Sequence, residues 1–206
     1  NTFFSKKKTI FREKFQSDIQ RSDLIKSLLQ CIKPKTNLIS TTGYTSRELY
    51  QIRSKLNLKK GKDFYMVGGM GHSSMVALGN SIHTKNQVIC LDGDGSLIMH
   101  MGSLANIGYY AKKNYKHILL NNFSHESVGG QQTTSENLNF NQLAKGYGYK
   151  NYFKLYNKRN ASKIIKRFLG SSGPSFLEVV IKPGSPKNLL RPKNLLKIKD
   201  RFMNKV

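Results

Sequence analysis

Val88-Ile89-Cys90-Leu91 is a run of four apolar residues with no polar alternation, and it ends on Asp92-Gly93-Asp94-Gly95. A strand that is apolar at consecutive positions has two faces to bury, not one. Comparable short runs recur at Leu38-Ile39, Phe64-Tyr65-Met66-Val67, His117 to Asn121 and Phe176 to Ile181, separated by stretches of helical spacing. That alternation predicts an α/β fold, a mostly parallel sheet with helices on both faces. Ligands of such sheets sit beyond the carboxyl ends of the strands. Four polar or Gly-rich turns fall there: Thr41-Thr42-Gly43, Gly68-Gly69-Met70-Gly71, Asp92-Gly93-Asp94-Gly95 and Asn121-Asn122.

Element boundaries follow from the same spacing. Ser22 or Asp23 is expected to cap a helix with Leu24, Ile25, Leu28, Leu29 and Ile32 on one face, ended by Pro34. Ser46 opens a second helix that closes near Leu58 and Gly61, and small residues from Ser73 to Ile82 make a third. Leu97 to Tyr110 reads as one helix, Phe123 to Asn139 as a polar loop, and Phe140–Tyr147 and Ala161–Leu169 as two further helices. Residues 1–20 read as a basic linker or arm, 21–185 as the folded domain and 186–206 as a basic C-terminal tail.

A chain of 206 residues suits one good-sized domain. No apolar stretch approaches the roughly 20 residues that span a bilayer, and the basic start has no apolar segment behind it to make a secretory signal. The missing initiator Met suggests a piece of a longer chain. Cys31 and Cys90 form neither a disulfide framework nor a zinc pattern, so a reducing cytoplasm is expected. The formal net charge of +24 invites a nucleic-acid or anionic-membrane partner. However, the lysines are scattered rather than clustered with aromatics, and Lys and Asn are abundant together, as a biased codon composition would give. Neither a membrane nor a nucleic acid is therefore expected as partner, while a positive field would favour a multiply charged anionic substrate.

The Asp94 turn alone could be a helix cap. The Asn pair one strand-helix unit later changes that reading, because neighbouring parallel strands would bring Asp94 and Asn122 onto one rim. A carboxylate, an amide oxygen, a backbone carbonyl and diphosphate oxygens make the hard oxygen shell that Mg²⁺ prefers. Gly93 and Gly95 let the backbone approach a diphosphate, and Ser96 supplies a donor to it. The arrangement resembles the thiamine diphosphate enzymes. The segments Ile39–Leu49, Val67–His72, Cys90–Gly102 and Asn121–Gln131 resemble the phosphonopyruvate decarboxylase family and its close relative, sulfopyruvate decarboxylase. The loop His125-Glu126-Ser127-Val128-Gly129-Gly130-Gln131 is the most discriminating part.

The resemblance implies a diphosphate-binding domain holding thiamine diphosphate and Mg²⁺. Asp94 and Asn122 would hold the metal through their side chains, with the Ser124 carbonyl as a third ligand. Thr41 or Thr42 and Ser96 would contact the diphosphate, and Gly71, Gly93 and Gly95 would line its site. Met70 would wedge beneath the cofactor, and the Gly68 carbonyl would accept from its 4′-amino group. His72 and His125 are candidates for proton transfer or substrate contact, and Arg47, Ser127 and Gln131 for binding the phosphonate. The implied reaction converts 3-phosphonopyruvate, a small anionic 2-oxo acid, to phosphonoacetaldehyde and CO₂ in phosphonate (2-aminoethylphosphonate) biosynthesis.

Two departures bear on this. Thr84-Lys85-Asn86 lacks a Pro usual in related chains, which touches only a surface turn. The glutamate that activates the aminopyrimidine belongs to a pyrimidine-binding domain, and Glu13, Glu48, Glu126, Glu136 and Glu178 all lie outside any segment resembling one. The chain is therefore expected to need that domain or a partner subunit, in a homo- or hetero-oligomer. The alternatives are a sulfopyruvate decarboxylase β-type subunit and, of another class, a non-catalytic polyanion-binding protein on a decayed enzyme fold.

Overall fold

The computed structural model describes residues 17–56 and 61–203. Six strands form one sheet: β1 (Asn37–Ser40), β2 (Lys62–Tyr65), β3 (Val88–Gly93), β4 (Tyr115–Asn121), β5 (Asn151–Leu155) and β6 (Ser175–Val180). Their order is β2-β1-β3-β4-β6-β5, and every pairing is parallel. The helices are α1 (Arg21–Cys31), α2 (Tyr44–Leu56), α3 (Ser73–His83), α4 (Asp94–Met99), α5 (Ser103–Tyr110), α6 (Phe140–Gly146), α7 (Ala161–Gly170) and α8 (Leu195–Phe202).

The apolar run of β3 shows why both faces are covered. Ile89 and Leu91 join one core cluster with Leu24, Leu28, Leu49 and Phe168, from α1, α2 and α7. Val88 and Cys90 join a second with Ala77, Leu78, Ile107 and Phe140, from α3, α5 and α6. Alternate residues of one strand thus feed opposite layers. After β1 the chain crosses outward to β2, and after β2 it crosses back past β1 to β3. The sheet therefore changes winding direction between β1 and β3, where an open α/β sheet leaves a crevice at its strand ends.

Several boundaries differ from the sequence expectation. Gln20, not Ser22 or Asp23, takes the N-cap position of α1, without a side-chain cap. The arm expected over residues 1–20 is docked at its end: Ile19 is 1% exposed, the Ser17 hydroxyl donates to the Val180 carbonyl, and Lys182 N–H donates to the Ile19 carbonyl. Its residues 1–16 lie outside the described residues. α2 begins at Tyr44, before Ser46, and its expected closure near Leu58 falls among residues that are not described. The helix expected from Leu97 to Tyr110 is two, because His100 leaves helical geometry with φ −133° and ψ 39°. The basic tail also folds: Asn194 caps α8 by accepting from Lys197 N–H, and Phe202 packs 5.5 Å from Phe64 of β2. Among the described residues no helix is long and apolar enough to cross a membrane.

Candidate functional site

Three neighbouring strands deliver the site. β1 ends at Ser40 and hands Thr41 and Thr42 to the rim, α4 starts at Asp94 directly after β3, and Asn122 is the first residue beyond β4. Thr41, Thr42, Met70, Gly93, Asp94, Gly95, Ser96, Asn122, Ser124, His125 and Ser127 line a single cleft there. Most of the residues singled out in the sequence are brought together.

Side-chain hydroxyls tie the turns to one another. Ser96 Oγ lies 2.8 Å from Thr41 Oγ1 and accepts from Gly71 N–H at 3.0 Å, which joins β1, α4 and the Gly-rich turn. Thr42 Oγ1 accepts from Gly68 N–H at 3.3 Å. At Gly95 an added Cβ would collide with the His125 ring, so only glycine lets that imidazole lie against α4.

Asp94 is 2% exposed, and its Oδ2 accepts from the Thr133 and Ser135 hydroxyls. Burial pushes its carboxyl above the usual range, against the pull of those hydroxyls and of nearby backbone amides. A buried carboxylate with hydroxyl partners is an environment that a divalent ion can complete. The Asn pair divides its work by the strand pleat. Asn121 donates to Glu178 Oε1 at 3.2 Å and accepts from Ser135 Oγ at 3.0 Å, away from the cleft. Asn122 lines the cleft, and its Oδ1 accepts from Ser124 N–H at 3.2 Å. Carboxylate, amide oxygen and the Ser124 carbonyl are hard oxygen donors, so the residues present fit Mg²⁺.

Other candidates stand outside this cleft. Arg47 is half-buried on α2 with its guanidinium 5.7 Å from the Tyr44 ring centroid. Gln131 is exposed, and its backbone carbonyl accepts from His125 N–H at 2.8 Å. His72 is exposed, with its ring centroid 4.2 Å from that of His100.

The cleft also holds a cation that sequence reasoning missed. Arg21, at the start of α1, lines it and donates to Glu48 at 2.7 Å and to Glu126 at 2.6 Å. Burial raises the Glu48 carboxyl above its usual range despite the Arg21 charge, and Glu126 adds to the rise. Thr133 and Ser135 were missed as well; a Ser/Thr-rich loop carries no signal of which carboxylate it will reach. Behind the rim, Cys90, Asp92 and His117 are all buried with their ligand atoms within 4.8 Å of one another. His117 Nδ1 lies 2.8 Å from the Tyr149 hydroxyl, while its Nε2 lies 3.5 Å from Asp92 Oδ2.

Residues 41–179 match the family described as thiamine pyrophosphate enzyme, C-terminal TPP binding domain. A phosphonopyruvate decarboxylase of Streptomyces viridochromogenes is 38% identical over 156 residues, covering 76% of this chain and 38% of that relative. A sulfopyruvate decarboxylase subunit beta of Methanococcus maripaludis is 32% identical over 192 residues, covering 92% of this chain and 98% of that subunit. Among solved structures, the Rhodococcus jostii RHA1 thiamine diphosphate-dependent 4-hydroxybenzoylformate decarboxylase superposes with TM-score 0.65 at 19% identity, over 83% of this chain and 34% of that one. The chain thus spans 38–41% of the length of the phosphonopyruvate decarboxylases it matches. The cleft between β1, β3 and β4 is where the matched segment gathers its Asp, Asn and Gly turns, and the chain belongs to the thiamine pyrophosphate enzymes as a C-terminal TPP-binding domain.

Proposed function

We propose that this chain supplies the diphosphate- and metal-binding half of a decarboxylase that converts 3-phosphonopyruvate to phosphonoacetaldehyde and CO₂ in phosphonate biosynthesis. The observation that carries the reading is the buried Asp94 carboxylate, held by the Thr133 and Ser135 hydroxyls and lining the same cleft as Asn122, Thr41 and Thr42. Relatives named phosphonopyruvate decarboxylase, 37–38% identical, support the substrate.

In this reading Asp94, Asn122 and the Ser124 carbonyl would hold Mg²⁺, and Ser96 with Thr41 or Thr42 would donate to the diphosphate. Met70 would pack against the cofactor, and the Gly68 carbonyl would accept a hydrogen bond from it. When bound, thiamine diphosphate supplies the electron sink that lets a 2-oxo acid lose CO₂. The chain's own part is to orient that group and to exclude water from it. Ser127 and His125, at the cleft wall, are placed to meet an anionic substrate, while Arg47, Gln131 and His72 would need a partner surface to bring a substrate to them. The activating glutamate comes from a pyrimidine-binding domain or subunit, which makes the working assembly an oligomer. The free thiols of Cys31 and Cys90 suit a cytoplasmic enzyme.

A second reading, a sulfopyruvate decarboxylase β-type subunit, is favoured by the near-complete mutual coverage with the Methanococcus subunit. Rates on 3-phosphonopyruvate and 3-sulfopyruvate in the complete assembly separate the two. The test of the shared reading is calorimetry of thiamine diphosphate with and without Mg²⁺. Asp94→Ala is expected to abolish the Mg²⁺-dependent binding. An unchanged affinity, or salt-sensitive nucleic-acid binding in its place, would remove the proposal.

A further inference from the structure

Arg21 is 5% exposed, and its two carboxylate partners lie on different parts of the molecule. Nη1 donates to Glu48 of α2, and Nη2 donates to Glu126 in the loop that follows Asn122. The other oxygen of Glu126 accepts from Gly184 N–H, beyond β6. One carboxylate therefore fastens the loop both to α1 and to the segment after the last strand. The loop's neighbours along the chain are also held: Ser127 Oγ would lie 2.9 Å from a Cβ placed on Gly43, and His125 rests against Gly95. Within the loop, His125 N–H donates to the Gln131 carbonyl and Thr133 N–H to the Phe123 carbonyl.

We propose that Arg21 is a positioning residue for the site. Through Glu126 it fixes the loop that carries Ser124 and His125, and so sets where the Ser124 carbonyl and the Asn122 amide stand relative to Asp94. The consequence for metal binding rests on the proposed function; the ordering of the loop does not. The Glu48 arm ties α1 to α2 within the scaffold, whereas the Glu126 arm alone reaches the loop, so the two arms have separable effects. A paired guanidinium can hold both at once because its fork presents separate nitrogens to each carboxylate.

The experiment uses the purified chain and compares Glu126→Gln with Glu48→Gln. Removing Arg21 itself would strand the buried Glu48 carboxylate and endanger folding, whereas a glutamine at 126 keeps the shape and a polar group. Hydrogen exchange read amide by amide is expected to speed up by about tenfold or more at Ser124, His125, Gly130 and Thr133 in Glu126→Gln, with β3 and β4 unchanged. Glu48→Gln should leave those loop amides within roughly twofold of the parent. Calorimetry with thiamine diphosphate and MgCl₂ should show Glu126→Gln weakened by about tenfold, the scale expected when an outer support of a metal ligand is lost. Loop exchange equal to the parent, or acceleration spread evenly through β3 and β4, overturns the proposal. If the parent binds no cofactor while Glu126→Gln still loosens the loop, the positioning of the loop stands and the reading of the site fails.

Discussion

Asp94 owes its environment to a loop rather than to its own motif. Thr133 donates to Oδ2, and the one proton of Ser135 Oγ has both Asp94 Oδ2 at 3.1 Å and Asn121 Oδ1 at 3.0 Å within reach, so one hydroxyl connects the two sequence signatures. Outer groups of this kind orient a ligand and tune its basicity. The double change Thr133→Val with Ser135→Ala is expected to weaken Mg²⁺-dependent binding of thiamine diphosphate by about 10–100-fold. Calorimetry at fixed cofactor with Mg²⁺ as titrant checks this, and parent-like affinity would show the hydroxyls to be incidental. Asp94 and Asn122 were legible because each lies in a short motif at a strand end. Thr133, Ser135 and Arg21 were not, because their partners depend on how a loop returns and where α1 starts, and neither leaves a mark in local spacing.

The strands show a buried cation that the apolar pattern hid. Lys116 of β4 is 1% exposed, and its amine donates to the Ser171 carbonyl and lies 3.1 and 3.2 Å from the Ser171 and Ser175 hydroxyls. Burial pulls its pKa down to about 8. Below that pH both folded and unfolded chains carry the proton, and the folded form bears the full cost of burying a charge. Between about 8 and the unfolded value near 10.4 the unfolded chain binds the proton more strongly, so stability rises with pH there. Compared with Lys116→Met, the parent should gain on the order of 1–3 kcal/mol between pH 7.5 and 10. Urea unfolding of both proteins across that range reads the difference, and parallel curves would exclude a depressed lysine. At this scale the alternation of strands and helices was readable because burial on both faces forces it. The break between α4 and α5 was not, since apolar spacing continues through His100-Met101-Gly102 while the backbone turns. Nor was α8, whose packing depends on a β2 surface distant in sequence.

For the molecule as a whole, three of the glutamates already have partners within the fold. Glu48 and Glu126 are spent on Arg21, and Glu178 is taken by Asn121, Tyr152 and Lys154. With thiamine diphosphate, Mg²⁺ and 3-phosphonopyruvate, the chain by itself is expected to release CO₂ only at the background rate. Sustained turnover without a partner would mean that the activating acid is already here. The charge of +24 foretold none of this architecture, because net charge governs steering and solubility and leaves the fold to burial. The tail helix has its own bearing on assembly. Ile198 packs against one core layer and Phe202 against the other, so α8 straddles the outer margin of β2. A flank covered in this way cannot recruit another chain's backbone. The other outer strand among the described residues is β5, with the half-exposed charge of Lys154 set into it. Lysine at such a margin discourages ribbon-like growth.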